Sequence, residues 1–138
     1  MDIEKIKAHF ALDRYALLTN VEIDAIAEQS VTCSLEIQDC HLNAREVVQG
    51  GAIFTLADFA FAIACNAAAI SSGDNTITVS QSCQITFFTP AKGRRLIAQT
   101  ECLRKGKKIS VYRIVVQDDL GTKVAEMTGN AYCVQPKS

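Results

Sequence analysis

Residues 49–69 read QGGAIFTLADFAFAIACNAAA, and the reading of this stretch decides the fold. From Gly51 to about Ser71 the chain is apolar, too long for a strand, and it closes on the stop signal SSGDN. The pattern predicts a helix of about 30 Å. Its apolar residues Ile53, Leu56, Phe59, Phe61, Ile63 and Ile70 fall on nearly every side, so protein is expected all around it. A transmembrane span is the rival reading. The central Asp58, Asn66, the many alanines and the lack of basic flanks argue against it.

Toward the N-terminus, Asp2 reads as the cap of a short amphipathic helix with Ile3, Ile6 and Phe10 in one stripe. From Leu17 onward the period becomes two. Val21, Ile23 and Ala25 alternate with Glu22 and Asp24, and beyond a turn near Glu28 and Gln29 the residues Val31, Cys33, Leu35 and Ile37 alternate with Thr32, Ser34 and Glu36. This predicts a hairpin with one buried face. Residues 38–49 form an irregular connection into the long helix.

Past that helix, strands are expected at about 75–88, 95–104, 108–117 and 122–133, separated by turns carrying TPAKG, KGKK and DDLG. The last strand puts Ala125, Met127, Gly129, Ala131 and Cys133 on one face, where small residues let a sheet close against the helix. The element order predicts an α+β fold, an antiparallel sheet wrapped around one long central helix with an extra helix at the N-terminus.

A chain of 138 residues, 49% hydrophobic and 21% charged, fits one domain spanning 1–138. A formal net charge of −1 gives no global basic field for nucleic acid or an anionic membrane, so any anion site must be local. The six cysteines are scattered without a C-x-x-C pair, which indicates neither a disulfide framework nor a metal site. Cys40 beside His41 reads as a loop with an incidental thiol. The first fifteen residues interleave acids and bases with apolar residues, unlike a signal peptide, and the expected compartment is cytoplasmic.

The stretch NAREVVQGGAIFTLADFAFAIA, residues 43–64, resembles the signature of hotdog-fold acyl-CoA thioesterases of the phenylacetic-acid-degradation and 4-hydroxybenzoyl-CoA type. In that signature an Asn precedes a His-Gly-Gly, and a Leu-x-Asp follows. The order of elements matches the hotdog order over about 15–133, ITFFTPAKG resembles the family's strand-three ending, and LRKGKK resembles its next hairpin. The resemblance implies that Asp58 is the catalytic carboxylate and that the Gly50 amide polarises the thioester carbonyl. It also implies that Asn43 and Ser80 position substrate or water, and that Thr89 lies in the substrate region. The implied substrate is an acyl-CoA, with coenzyme A as part of the substrate and no further cofactor. The implied assembly is a homodimer, often paired into a homotetramer. Gln49 departs from the family His, and Ala44 from a frequent Gly. Gln can donate a hydrogen bond but cannot titrate near neutrality, so only an orienting role survives there.

The chemistry wants these residue types. Thioester hydrolysis needs oxyanion stabilisation, which unpaired N–H groups at a helix N-terminus supply, and Gly50 and Gly51 let a thioester approach that backbone closely. Asp58 can act as general base or as nucleophile. Gly50 and Asp58 are eight positions apart, about 12 Å along a helix, so one copy cannot bring both to a single carbonyl carbon. Two copies about a two-fold axis can. The bland reading of Asp58, an exposed or lysine-paired acid, is weighed against this spacing and set aside.

Arg104, Lys105, Lys107 and Lys108 surround Gly106 in a turn, with Arg94 and Arg95 on the preceding one; they suit either the phosphates of coenzyme A or a solvated hairpin. Phe54, Phe87 and Phe88 suit an acyl pocket, with core packing the first expectation. The alternative function is a non-catalytic acyl-CoA-binding hotdog protein, motivated by Gln49. A dehydratase on the same fold ranks last, because His9 and His41 both lie outside the glycine signature.

Overall fold

The computed structural model describes residues 1–134. Helix α1 spans Ile3–Phe10, and the Asp2 carboxylate caps it by accepting from Lys5 N at 3.1 Å. Ile6 and Phe10 are buried, and Phe10 meets Phe59 edge-on at 5.8 Å. A second helix, α2, spans Arg14–Leu18 and is capped by Asp13. The sequence reading carried strand periodicity back to Leu17, and this is corrected: Leu17 and Leu18 close a helical turn, and strand β1 begins only at Glu22 and ends at Ile26. A five-residue helix is too short to display a period.

Strand β2 spans Val31–Glu36 and pairs antiparallel with β1 across a bulge between Ile23 and Ala25. The bulge turns Ala25 outward, against the expected alternation. A 3-10 turn, Asp39–His41, leads to helix α3, Gly50–Ser72. The long helix ends on Gly73 in the left-handed conformation (φ 77°), as the SSGDN stop implies. Strands β3 (Ile77–Phe87), β4 (Arg95–Lys105), β5 (Ile109–Asp118) and β6 (Lys123–Val134) follow within two residues of the expected bounds.

All six strands form one antiparallel sheet in the order β1-β2-β4-β5-β6-β3. The sheet curls around α3, which packs on β2, β3, β4, β5 and β6, with α1 and α2 also against it. Helix and sheet come close at Gly129 on β6. A Cβ there would lie 2.5 Å from the Phe61 ring, so the small residue expected on that face is what admits a phenyl group of the helix.

The helix is not enclosed on every side, and that expectation is corrected. Phe54, Thr55, Asp58, Ala62, Cys65, Asn66 and Ala69 are only partly covered, and they recur at helical spacing along one face. Strand β3 is the sheet edge beside this stripe, and Ile77, Val79 and Phe87 on it are exposed apolar residues.

Two turns are locked together at one end of the sheet. The Asp118 carboxylate accepts from the N–H groups of Lys92, Gly93, Leu120 and Thr122 at 2.8–3.0 Å, and Asp119 accepts from Arg94 and Arg95. Burial works to raise the Asp118 pKa, but the four donors outweigh it and hold the carboxyl well below its usual range.

Candidate active site

The loop into α3 is built by Asn43. Its Oδ1 accepts from Arg45 N (2.8 Å) and Val47 N (3.3 Å), and its backbone N–H donates to Val47 O at 2.8 Å. Glu46 takes a left-handed conformation (φ 61°) in the same turn. The side-chain oxygen of Asn43 is therefore engaged in shaping this corner. Beneath it, His41 is buried: Nδ1 accepts from Gln38 N at 3.0 Å, which leaves Nε2 to donate to Thr19 O at 2.7 Å. The His41 carbonyl receives the Gln49 N–H at 2.8 Å. The Cys40–His41 pair set aside in the sequence thus contains a structural histidine.

Gln49 is the N-cap of α3, yet its side chain makes no capping bond. Its Oε1 lies over Gly51, where a Cβ would be 2.5 Å away. The Gln49 carbonyl accepts from Ala52 and Ile53, while the first-turn N–H groups of Gly50 and Gly51 have no acceptor among the described residues. Gly50 opens into a cavity of about 350 Å³ with Val47, Val48, Ile53, Phe87, Phe88, Thr89 and Pro90. Phe87 and Phe88 are half exposed here, which corrects their reading as core. The Phe87 ring covers Gly50 so closely that a Cβ would stand 3.2 Å from Cζ.

Asp58 opens elsewhere. It lines a cavity of about 420 Å³ with Asp13, Tyr15, Ala16, Phe54, Thr55, Phe59 and Ala62. It has no ion pair or hydrogen bond among the described residues, so the lysine-paired reading does not apply. Burial pushes its carboxyl above the ordinary range, and the nearby Asp13 carboxylate adds to the shift. Ser80, exposed on β3, reaches Cys83 at 3.2 Å between Oγ and Sγ, and Cys83 lies within electrostatic reach of Asp58.

The expected site residues thus fall into separate groups. Phe54 and Asp58 share one cavity, with Ser80 connected to that side through Cys83; Gly50 and Thr89 share the other, with Asn43 and Gln49 at its corner. Arg104, Lys105 and Lys107 are a third group, at the exposed β4–β5 turn. Lys105 borders a further cavity, of about 460 Å³, on another face of α3 beside Ala64, Ala67 and Tyr112. Burial pushes the Cys65 thiol up to about 12; Cys102 adds to this, Lys105 opposes it, and Cys83 and Asp58 add again. Cys65 is therefore within electrostatic reach of both Lys105 and Asp58. Arg95 is occupied otherwise, in an ion pair with Glu22 and a 2.8 Å bond to Ser34 Oγ.

Sequence reasoning missed Asp13, Tyr15 and Ala16, because it missed α2. The signal was present as an N-cap Asp whose Oδ1 accepts from Ala16 N, at 3.0 Å.

A curled antiparallel sheet around one long central helix is the hotdog fold, here with unbonded glycine N–H groups at that helix's start and a half-buried acid at its middle. Residues 46–125 match the model of the thioesterase superfamily, and the chain belongs to that family as a thioester hydrolase. It is similar to a candidate esterase of Archaeoglobus fulgidus, with 30% identity over 96% of this chain and 83% of the relative. It is also similar to the acyl-coenzyme A thioesterase PaaI of Escherichia coli, with 28% identity over 91% of this chain and 86% of that protein. The solved structure of the E. coli PaaI protein from the phenylacetic acid degradation operon superposes with a TM-score of 0.84 at 25% identity, covering 97% of this chain and 94% of that one.

Proposed function

We propose that the protein hydrolyses an acyl-CoA thioester to the free acid and coenzyme A, at a site completed by two copies of the chain. Asp58 of one protomer works on a thioester whose carbonyl oxygen is held by the Gly50 amide of its partner. The observation that carries this reading is the separation of the two groups: Asp58 and Gly50 lie on one helix but open into different cavities. The partly covered stripe of α3 and the exposed β3 edge offer a second copy a place to close the gap.

In such a site the Gly50 N–H stabilises negative charge developing on the carbonyl oxygen, aided by the positive end of the α3 dipole. Asp58 serves by one of two routes. As a base it takes a proton from water, the water oxygen attacks the carbonyl carbon, the carbon–sulfur bond breaks, and the thiolate takes up the proton. As a nucleophile its oxygen bonds the carbonyl carbon and expels the thiolate, and water then cleaves the anhydride. Gln49 orients and does not titrate. Asn43 holds the corner that presents Gly50, and Ser80 orders water or substrate on the Asp58 side.

Gly51, Phe54 and Thr89 border the acyl group and the thioester, and Arg104, Lys105 and Lys107 meet the coenzyme A phosphates. The enzyme works in the cytoplasm as a dimer or dimer of dimers, without metal or organic cofactor and without a nucleic-acid or membrane partner. A panel of acyl-CoA esters, read by release of free thiol, tests this. Wild type is expected to turn over at least one ester and Asp58→Ala none at a comparable rate. Binding without thiol release across the panel would overturn the reading.

A further inference from the structure

Asp58 shares its cavity with a second acid. Asp13 is the N-cap of α2, and its Oδ1 is fixed by the Ala16 N–H at 3.0 Å, so its carboxylate is held at the cavity wall by the turn it caps. The helix α2 packs on α3, and Phe54, Phe59 and Ala62 give the cavity shared by the two acids low-dielectric walls. Among the described residues no lysine or arginine lines this cavity. Among the described residues, Tyr15 on α2 lines the same cavity, and Cys65 further along α3 and Cys83 on β3 lie within electrostatic reach of Asp58. Burial raises both thiols, so they stay neutral where a carboxylate titrates.

We propose that Asp13 is a positioning residue that acts through Asp58: a second carboxylate at the same cavity, held by α2, moves the pH at which Asp58 becomes the working anion. This rests on Asp58 being the catalytic carboxylate. Two like charges at one partly dry cavity oppose each other, so the Asp13 carboxylate keeps the proton on Asp58 to higher pH. The arrangement also gives α2 a purpose beyond packing, since its cap carries the charge.

Asp13→Asn tests this, because Asn caps a helix as well as Asp and preserves the turn. Asp13→Ser is the second variant should the first fold poorly. Two readouts are taken: the pH profile of thiol release, and the carbon-13 titration of the Asp58 carboxyl in wild type and variant. The acidic limb of the profile and the Asp58 titration are both expected to move to lower pH, with plateau rates within about twofold. The variant would then be several-fold faster than wild type below the wild-type midpoint. An Asp58 titration unmoved by the substitution overturns the proposal, whatever the activity. A moved titration in a protein that hydrolyses no ester supports the electrostatic relation and sinks the thioesterase reading instead.

Discussion

The Asn66 carboxamide on α3 meets the backbone of Thr78 on β3 at both ends, Nδ2 donating to Thr78 O and Oδ1 accepting from Thr78 N, each at 2.9 Å. Asn66 thereby behaves as one more residue of a neighbouring strand. It pins the start of the edge strand to the central helix. Replacing it by Ala leaves both Thr78 groups without their partner and is expected to cost about 1–3 kcal/mol. Urea unfolding of Asn66→Ala, compared with wild type at unchanged m-value, reads this directly.

A shared site makes a complementation experiment decisive. Asp58→Ala lacks the acid; Gly50→Pro lacks the polarising N–H at the first helical position, where no backbone bond is lost, and the half-exposed Phe87 ring must give by a few tenths of an ångström to admit it. Each variant alone should be nearly inactive. Mixed and re-equilibrated, about half the dimers are hybrid and each hybrid carries one intact site of two, so about a quarter of wild-type activity should return. Thiol release from the mixture checks it, and no recovery in a mixture shown to exchange subunits counts against the shared site.

Gly129 is expected to tolerate no side chain. In Gly129→Ala the new Cβ meets the Phe61 ring at 2.5–3.0 Å, and the buried ring must shift to admit it. The overpacking should cost about 1–3 kcal/mol. A thermal melt of the single variant, and of the double variant with Phe61→Leu, should show partial recovery in the double.

Asp118 sets an acid limit on stability. Its carboxyl is depressed in the folded state, so its contribution is fully present above the unfolded-state value of about 3.9 and is lost as pH falls toward the folded-state value. Asp118→Ala leaves four turn N–H groups without their acceptor and should cost about 1.5–3 kcal/mol at neutral pH. The gap between wild type and variant should narrow as pH drops below about 4. Unfolding free energies measured across that range check both the size and the sign.

The residues that speak clearly in the sequence are those whose signal is local. The apolar run after Gly50 and the Gly73 stop mark a helix within a residue of its observed ends, and alternation marks strands β2 to β6. The glycine pair and Asp58 are legible for the same reason, because their spacing is covalent. The short α2 was lost, since five residues cannot express a period and Leu17 fell into the alternation of the strand that follows.

What the chain determined by itself is the succession of elements and the distance along α3 between its free amides and its acid. What tertiary structure alone decided is which groups those elements meet: Asp13 in one cavity with Asp58, Asn66 against Thr78, Phe87 over Gly50, β3 left at the sheet edge. The reason is physical. Periodicity and capping are set by neighbours a few bonds away, whereas a contact across the sheet depends on how far the whole sheet curls, and no short stretch of sequence carries that angle.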